Sequence, residues 1–337
     1  MNTRLGHGAW AGVVAACSAV FVVTGCTAGA TDSGGGNAAK GPVIRIALGV
    51  DASYAPFYLA KQRGLFAKAG LNVQLMQVEG GPAAAQAVQA GTAQMSVNAD
   101  SSALPLMAAG DDLRALGVFQ SSDRFLKVVL RNGVDKPQQI KTMASIQGIG
   151  LYATYSYLRY NRIDPASVKI VKSSAPEIPG LLARGSVDAY ILYEPWAAKG
   201  AADGGHIAAR IGDFGVGYVQ WLLAGRSWLE RNEDAAGKVF RVVAQADDLV
   251  TADPKAAAEA TEREVKVPAD QTVKVLPEIT FKARGFTGAD YAAEKKVADF
   301  LLGQKLIKKA PDLRTVLLQG WYERHVGTQG ASAGPGA

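Results

Sequence analysis

Residues 185–196 read GSVDAYILYEPW. The apolar run Ala189-Tyr190-Ile191-Leu192-Tyr193 stands between Gly185 and Asp188 on one side and Glu194-Pro195-Trp196 on the other. A short apolar run without alternation, bounded by turn residues, predicts a strand covered on both faces, the kind that α/β sheets contain. Pro195 has no N–H to give to a ladder, so the strand ends there. Glu194 and Trp196 then stand at its carboxyl edge, where open α/β sheets bind ligands. The plainer reading is structural: Glu194 caps a helix over 196–200 or pairs with a base such as Arg124.

The same rhythm recurs upstream. Residues 43–48 (VIRIAL) predict a strand, followed by a loop over 49–55 and a helix over 56–68, with Pro56 suited to its first turn. Residues 72–78 alternate with period two and predict a second strand. Pro82 opens a helix over 83–90 that Gly91 closes. A third strand over 93–97 leads into Asn98-Ala99-Asp100-Ser101-Ser102, and a short helix over 104–109 ends at Gly110. Farther on, a strand is expected over 148–152, a helix over 156–162, a strand over 168–171 and a helix over 177–184, before the strand over 187–193. Strands alternating with helices predict an α/β fold of mostly parallel sheets flanked by helices. After Val219 the pattern turns helical, with amphipathic stretches over 238–251, 254–265 and 291–302.

Composition bounds the chemistry. Of the 337 residues, Arg4 and the apolar segment over 9–23 read as a secretion signal over 1–25, too short and wrongly flanked for a spanning helix. Its ending, Val23-Thr24-Gly25-Cys26, resembles the bacterial lipobox, which implies that Cys26 becomes an acylated first residue holding the protein to the outer face of the cytoplasmic membrane. Residues 26–42, rich in glycine and small polar side chains, are expected to be a flexible tether, and 327–337 a flexible tail. Both cysteines, Cys17 and Cys26, lie in the signal region, so the mature chain has no disulfide, thiol nucleophile or cysteine metal site. His206 and His325 lack the spacing of a metal pair. The basic excess of +6 is spread out, as in Lys295-Lys296 and Lys308-Lys309, without interleaved aromatics, which fits a solvated surface and not a nucleic-acid footprint.

Three stretches carry a family resemblance: ASYAPFYLAKQRGLFAKAGLNVQLMQVEGG (52–81), QAVQAGTAQMSVNADSSALPLMAAG (86–110) and GLLARGSVDAYILYEPWAAKG (180–200). Ala55-Pro56 opening a helix, Gly64-Leu65-Phe66 with Gly70-Leu71 before a strand, the turn Ala90-Gly91-Thr92 and the closing Glu194-Pro195 are its specific elements. In these the chain resembles the substrate-binding proteins of nitrate, taurine and sulfonate ABC importers, a family that includes binders of the thiamine pyrimidine precursor. The resemblance covers most of residues 43–325. It implies a two-lobed, Venus-flytrap fold of the type II periplasmic binding proteins, with lobe 1 over 43–121 plus 217–326, lobe 2 over 122–216, and crossovers over 119–127 and 211–219. It also implies a monomeric, non-enzymatic component without cofactor or metal, whose partners are a small ligand, a membrane permease and, through its anchor, the membrane.

Two other readings are weighed against this one. Gly148-Ile149-Gly150-Leu151-Tyr152-Ala153 fits the dinucleotide fingerprint G-x-G-x-x-A, but its glycines are expected to begin a strand, and no acid ends the strand that follows. No G-x-S-x-G, phosphate-loop or zinc-protease pattern is present, so no catalytic residue is assigned. An enzyme on the same fold, such as a pyrimidine-forming homologue, is the alternative from another class.

The expected ligand-binding residues stand at successive strand ends: Asp51, Ser53, Tyr54 and Phe57 after the first, Asn98, Asp100 and Ser101 after the third, and Glu194 and Trp196 after the strand of the opening stretch. Thr154, Tyr155 and Ser156 complete the set at the start of a second-lobe helix, where free N–H groups favour an anion. Many relatives have a Gly-Ser-Thr type stretch there. Ala153-Thr154-Tyr155-Ser156 puts a ring in its place, which speaks against plain sulfonate recognition. The Glu194 carboxylate is expected to accept from an N–H or ammonium group of the ligand, with Trp196 or Tyr155 covering its apolar part.

Overall fold

The computed structural model describes residues 41–327. The expected signal over 1–25, Cys26, the tether to residue 40 and tail residues 328–337 lie outside the described residues.

Eleven strands are described: β1 (Val43–Leu48), β2 (Asn72–Gln77), β3 (Met95–Ala99), β4 (Leu113–Ser122), β5 (Lys127–Arg131), β6 (Thr142–Ser145), β7 (Lys169–Lys172), β8 (Ala189–Leu192), β9 (Gly205–Arg210), β10 (Tyr218–Gly225) and β11 (Thr280–Arg284). They form a six-stranded sheet in the order β11-β4-β10-β3-β1-β2 and a five-stranded sheet in the order β7-β6-β8-β5-β9. The chain passes between the sheets twice, through residues 123–126 and 211–217.

Both sheets are mixed, which corrects the expectation of mostly parallel ones. β1 is parallel to β2 and β3, but β10 runs antiparallel to β3 and β4, and β11 antiparallel to β4. In the second sheet β6 is parallel to β7 and β8, whereas β5 is antiparallel to β8 and β9. The crossings are the cause. A strand that leaves a sheet points toward the other one, and a strand that arrives from there runs the opposite way. β10 and β5 are the arriving strands, and each inserts between strands that end at the side facing the other sheet. β10 and β11 also correct the expectation of an all-helical region after Val219.

Helix boundaries differ where glycine intervenes. The helix expected over 56–68 is two, Ala55–Gln62 and Leu65–Lys68, separated by Gly64 at φ 64°. The strand expected over 148–152 is the start of a helix, Ile149–Tyr160, preceded by Gly148 at φ 68°; the strand itself is β6. The glycines of the G-x-G-x-x-A stretch therefore follow a strand and open a helix. The acid that a dinucleotide ribose needs is still missing, because β7 leads into Ser173 and Ser174. The third-strand helix begins at Asp100 and not at Leu104. Glu233–Ala252, Pro254–Val265 and Gly288–Gly303 are the long helices after β10.

Phe57 is fully buried in the core of the six-stranded side, edge-on to Phe119 of β4 with ring centres 5.3 Å apart. A buried phenylalanine contributes about 2–3 kcal/mol. That placement removes Phe57 from the ligand-binding set.

Candidate functional site

The loops that follow β1, β2 and β3 converge with those that follow β6, β7 and β8 on one cavity of about 740 Å³. Gly49, Val50, Asp51 and Tyr54 line it from the first sheet, with residues 79–83, Gln86, Ala99 and Ser102. Ile146, Gln147, Ile149, residues 173–176, Tyr193, Pro195 and Trp196 line it from the second. Tyr218, at the start of β10, and residues 265–268 complete the wall. The concentration at carboxyl ends of strands follows from topology: departing strands end where the sheets meet.

Asp51 is the buried charge of this wall. It caps the short turn Ala52–Tyr54, its Oδ1 accepting from Ser53 N at 2.8 Å and from the Ser53 hydroxyl at 2.6 Å. Oδ2 makes no hydrogen bond among the described residues. Burial pushes the carboxyl up to about 6, against the lowering effect of the two Ser53 bonds. Tyr54, Tyr193 and Tyr218 surround it. Burial raises the pKa of each phenol, and the Asp51 charge raises each further, so all three stay neutral donors. Tyr54 lies so close to Gly49 that a side chain there would meet its ring at 2.7 Å. Phe125, in the first crossing, stacks on both Tyr193 and Tyr218 with ring centres 5.7 Å apart, which ties the aromatic wall to the link between the sheets.

Glu194 has a different fate. Its Oε1 accepts from Lys127 Nζ at 2.8 Å and its Oε2 from Ala198 N at 2.8 Å, at the start of the helix Trp196–Ala202. Lys127 also lies 2.8 Å from Glu278, beyond the other sheet's edge. The plainer reading of the opening stretch is thus the one realised, with Lys127 and not Arg124 as partner, and Glu194 is absent from the cavity wall. Trp196 does line it. The Glu194-Pro195 peptide bond is cis.

The remaining expected residues divide in the same way. Ser53 lies beneath Asp51 and acts on it. Asn98 is buried and holds the Gly81 carbonyl, which belongs to a lining residue. Asp100 does not line the cavity, receives the Ser101 N–H, and shares its surroundings with the buried Glu294 and with Tyr152. Burial raises the Asp100 carboxyl, and burial with the Asp100 charge raises Glu294 well above the usual carboxylate range. Ser101 is buried off the main cavity, and Ser102 reaches it instead. Thr154, Tyr155 and Ser156 do not line it. The helix they were expected to open starts at Ile149, five residues earlier, which carries them about 7.5 Å along its axis. Tyr155 there packs against Phe300.

Tyr193, Tyr218, Ile146, Gln147, Glu79 with the first turn of the helix Gly80–Gln89, which starts three residues before the expected 83–90, and the 173–176 loop are lining residues that the sequence reading missed. Both segments follow correctly expected strands, so the rule that found Asp51 was available for them. Lys266 is the single basic residue of the lining; it is exposed, and its ammonium donates to the Arg263 carbonyl at 3.2 Å. Among the described residues no three His, Cys, Asp or Glu side chains form a metal-binding group, and no helix is long and apolar enough to cross a membrane.

No curated protein matches the chain. Solved structures do. The periplasmic aliphatic sulphonate-binding protein SsuA of Escherichia coli is 18% identical, with a TM-score of 0.72 over 82% of this chain and 92% of its own. The alkanesulfonate-binding protein SsuA of Xanthomonas axonopodis pv. citri, solved bound to MOPS, is 20% identical with a TM-score of 0.68 over 82% and 96%. The periplasmic nitrate-binding protein NrtA of Synechocystis PCC 6803 is 13% identical with a TM-score of 0.60 over 71% of each chain. These likenesses show the two-sheet fold of periplasmic binding proteins. The NMT1/THI5-like family model matches residues 51–257, from the Asp51 loop through both crossings between the sheets, and the chain belongs to that family.

Proposed function

We propose that the chain is the extracytoplasmic, lipid-anchored substrate-binding component of an ABC importer. It acts as a monomer whose two lobes, 43–121 plus 217–326 and 122–216, close on a small ligand and deliver it to a membrane permease. The ligand is a flat, nitrogen-bearing ring with amino donors, of the aminopyrimidine kind. The observation that carries this choice is the Asp51 carboxylate, with one oxygen uncommitted, inside a wall of Tyr54, Tyr193, Tyr218 and Trp196. Rings favour a flat partner, and a carboxylate in a low-dielectric setting favours a donor or a cation. A nitrate or simple sulfonate would meet that negative charge with no guanidinium on the lining to offset it.

A taurine-like zwitterion is the second reading, because Ile149, at the start of a twelve-residue helix, also lines the cavity. Asp51 would hold its ammonium and the first-turn N–H groups its sulfonate. An enzymatic reading has less support: neither His206 nor His325 lines the cavity. The test is a thermal-shift and small-angle scattering panel of aminopyrimidines, taurine, alkanesulfonates, aromatic acids and nitrate. Stabilisation with compaction by aminopyrimidines is expected. The same response to nitrate or alkanesulfonates alone, or turnover of any panel member, would overturn the assignment.

A further inference from the structure

Beneath the cavity floor, β10 carries one amide in an apolar strand. Gln220 is fully buried next to Trp221, Leu222 and Leu223. A buried amide costs stability unless its hydrogen bonds are made. Its Nε2 contacts two hydroxyls, Ser53 Oγ at 3.0 Å and the phenol of Tyr218. Ser53 Oγ lies 2.6 Å from Asp51 Oδ1, which also accepts from Ser53 N.

With the amide nitrogen facing the two hydroxyls, and the amide oxygen left without a partner among the described residues, counting hydrogens sets the direction of this chain. An amide nitrogen donates only. Ser53 Oγ therefore accepts from Gln220, and its single hydrogen goes to Asp51. By the same count Tyr218 accepts from Gln220, and its hydroxyl also lies 3.4 Å from Ser53 Oγ, so the phenol of this cavity-lining ring belongs to the same buried cluster. Polarisation along such a chain strengthens each bond in it. We infer that Gln220 is a positioning residue, which through Ser53 commits Asp51 Oδ1 and leaves Oδ2 as the oxygen that meets a ligand. The site then offers a single carboxylate oxygen, Oδ2, and selects ligands that present a donor to it. The ligand class rests on the proposed function; the relay from Gln220 to Asp51 does not.

The relay is tested without ligand, by 13C NMR titration of aspartate-labelled full-length protein, with the Asp51 signal assigned from Asp51→Asn. Wild type is expected to titrate near 6. Ser53→Ala removes a bond to the ionised form and raises the midpoint by roughly one pH unit, and Gln220→Met raises it by roughly half a unit. Because Gln220 acts through Ser53, the double variant should titrate no higher than Ser53→Ala alone. Gln220→Leu provides a second apolar replacement should Gln220→Met fail to fold. An unchanged midpoint, full additivity, or a lowered midpoint overturns the inference; lowering is what the opposite amide orientation predicts, since its oxygen would draw the Ser53 hydrogen away from Asp51. If the midpoints move as expected and no aminopyrimidine or taurine binds, the relay stands and the proposed ligand class falls.

Discussion

Asp51 and Glu194 are a natural pair for comparison: each is an acid just past the carboxyl end of a buried strand, one in each sheet, facing the place where the sheets meet. Asp51 meets only a serine and its backbone, so one oxygen stays uncommitted and burial raises its pKa. Glu194 meets an ammonium. β5 arrives where β8 leaves, and Lys127, its first residue, pairs with Leu192 in the ladder, two residues before Glu194. The antiparallel entry that makes the sheet mixed also delivers the cation that neutralises the acid. Position at a strand end puts a side chain near the cleft; the neighbouring strand's direction decides what it can do there.

The comparison breaks most violently at Lys127. Its side chain is 6% exposed and lies between Glu194 and Glu278, which are 11% and 15% exposed. Lys127→Met would leave two carboxylates facing each other, with Arg210 3.9 Å from Glu278 as the remaining cation. Removing one partner of a buried ion group costs about 3–5 kcal/mol. Urea unfolding at neutral pH should show that loss, and a change below about 1 kcal/mol would mean that the triad is solvated and Glu194 available after all.

The next effect is on binding. Asp51→Asn should weaken an aminopyrimidine by about 1.5–3 kcal/mol, the range of a charged hydrogen bond, measured by calorimetry. Glu194→Gln should leave affinity unaltered and lower stability instead. The reverse outcome would exchange the roles of the two acids.

Proton linkage sharpens the same contrast. With its folded pKa raised from 3.8 to about 6, the Asp51 carboxyl contributes stability that is fully present below 3.8 and lost as pH rises through about 6. Ligand binding runs the other way, since the donor needs the ionised form. Affinity for a ligand whose own charge is constant over that range should fall about tenfold per pH unit below about 6. Asp51→Asn should abolish this slope, and Glu194→Gln should keep it.

Much of this was legible along the chain and some was not, for identifiable reasons. Apolar runs that stop at a glycine, an acid or a proline mark β1, β3 and β8, so Asp51, Tyr54 and Trp196 were found from local pattern alone. The 148–152 stretch misled because Ile149, Leu151 and Tyr152 make an apolar run as suited to a strand as to a helix start; Gly148 at positive φ was the discriminating signal. β10 lies 95 residues or more from the strands it pairs with, and nothing local tells that it inserts antiparallel between β3 and β4. Lys127 for the same reason could not be matched to Glu194, 67 residues away. Gln220 was overlooked because one amide in an apolar strand reads as a tolerated exception until its partners are in place.

The smallest expected effect concerns Trp196, the one residue of the opening stretch that reaches the cavity. Its ring is partly exposed and borders both this cavity and the groove against the helix Ala269–Val275. Tyr193 remains beside it, so Trp196→Ala removes part of a flat wall and leaves the acid untouched. An aromatic contact of this kind is worth about 1 kcal/mol, and a fivefold loss of aminopyrimidine affinity corresponds to that value. Stability should fall only by the ring's partial packing against the second sheet's core, because the Trp196 carbonyl that accepts from the Tyr190 hydroxyl at 2.7 Å is kept by alanine. Fluorescence-detected unfolding and calorimetry on the same preparation separate the two effects. If Trp196→Ala weakens binding more than Asp51→Asn does, the wall and not the acid determines recognition, and the contrast between the two carboxylates loses its functional meaning.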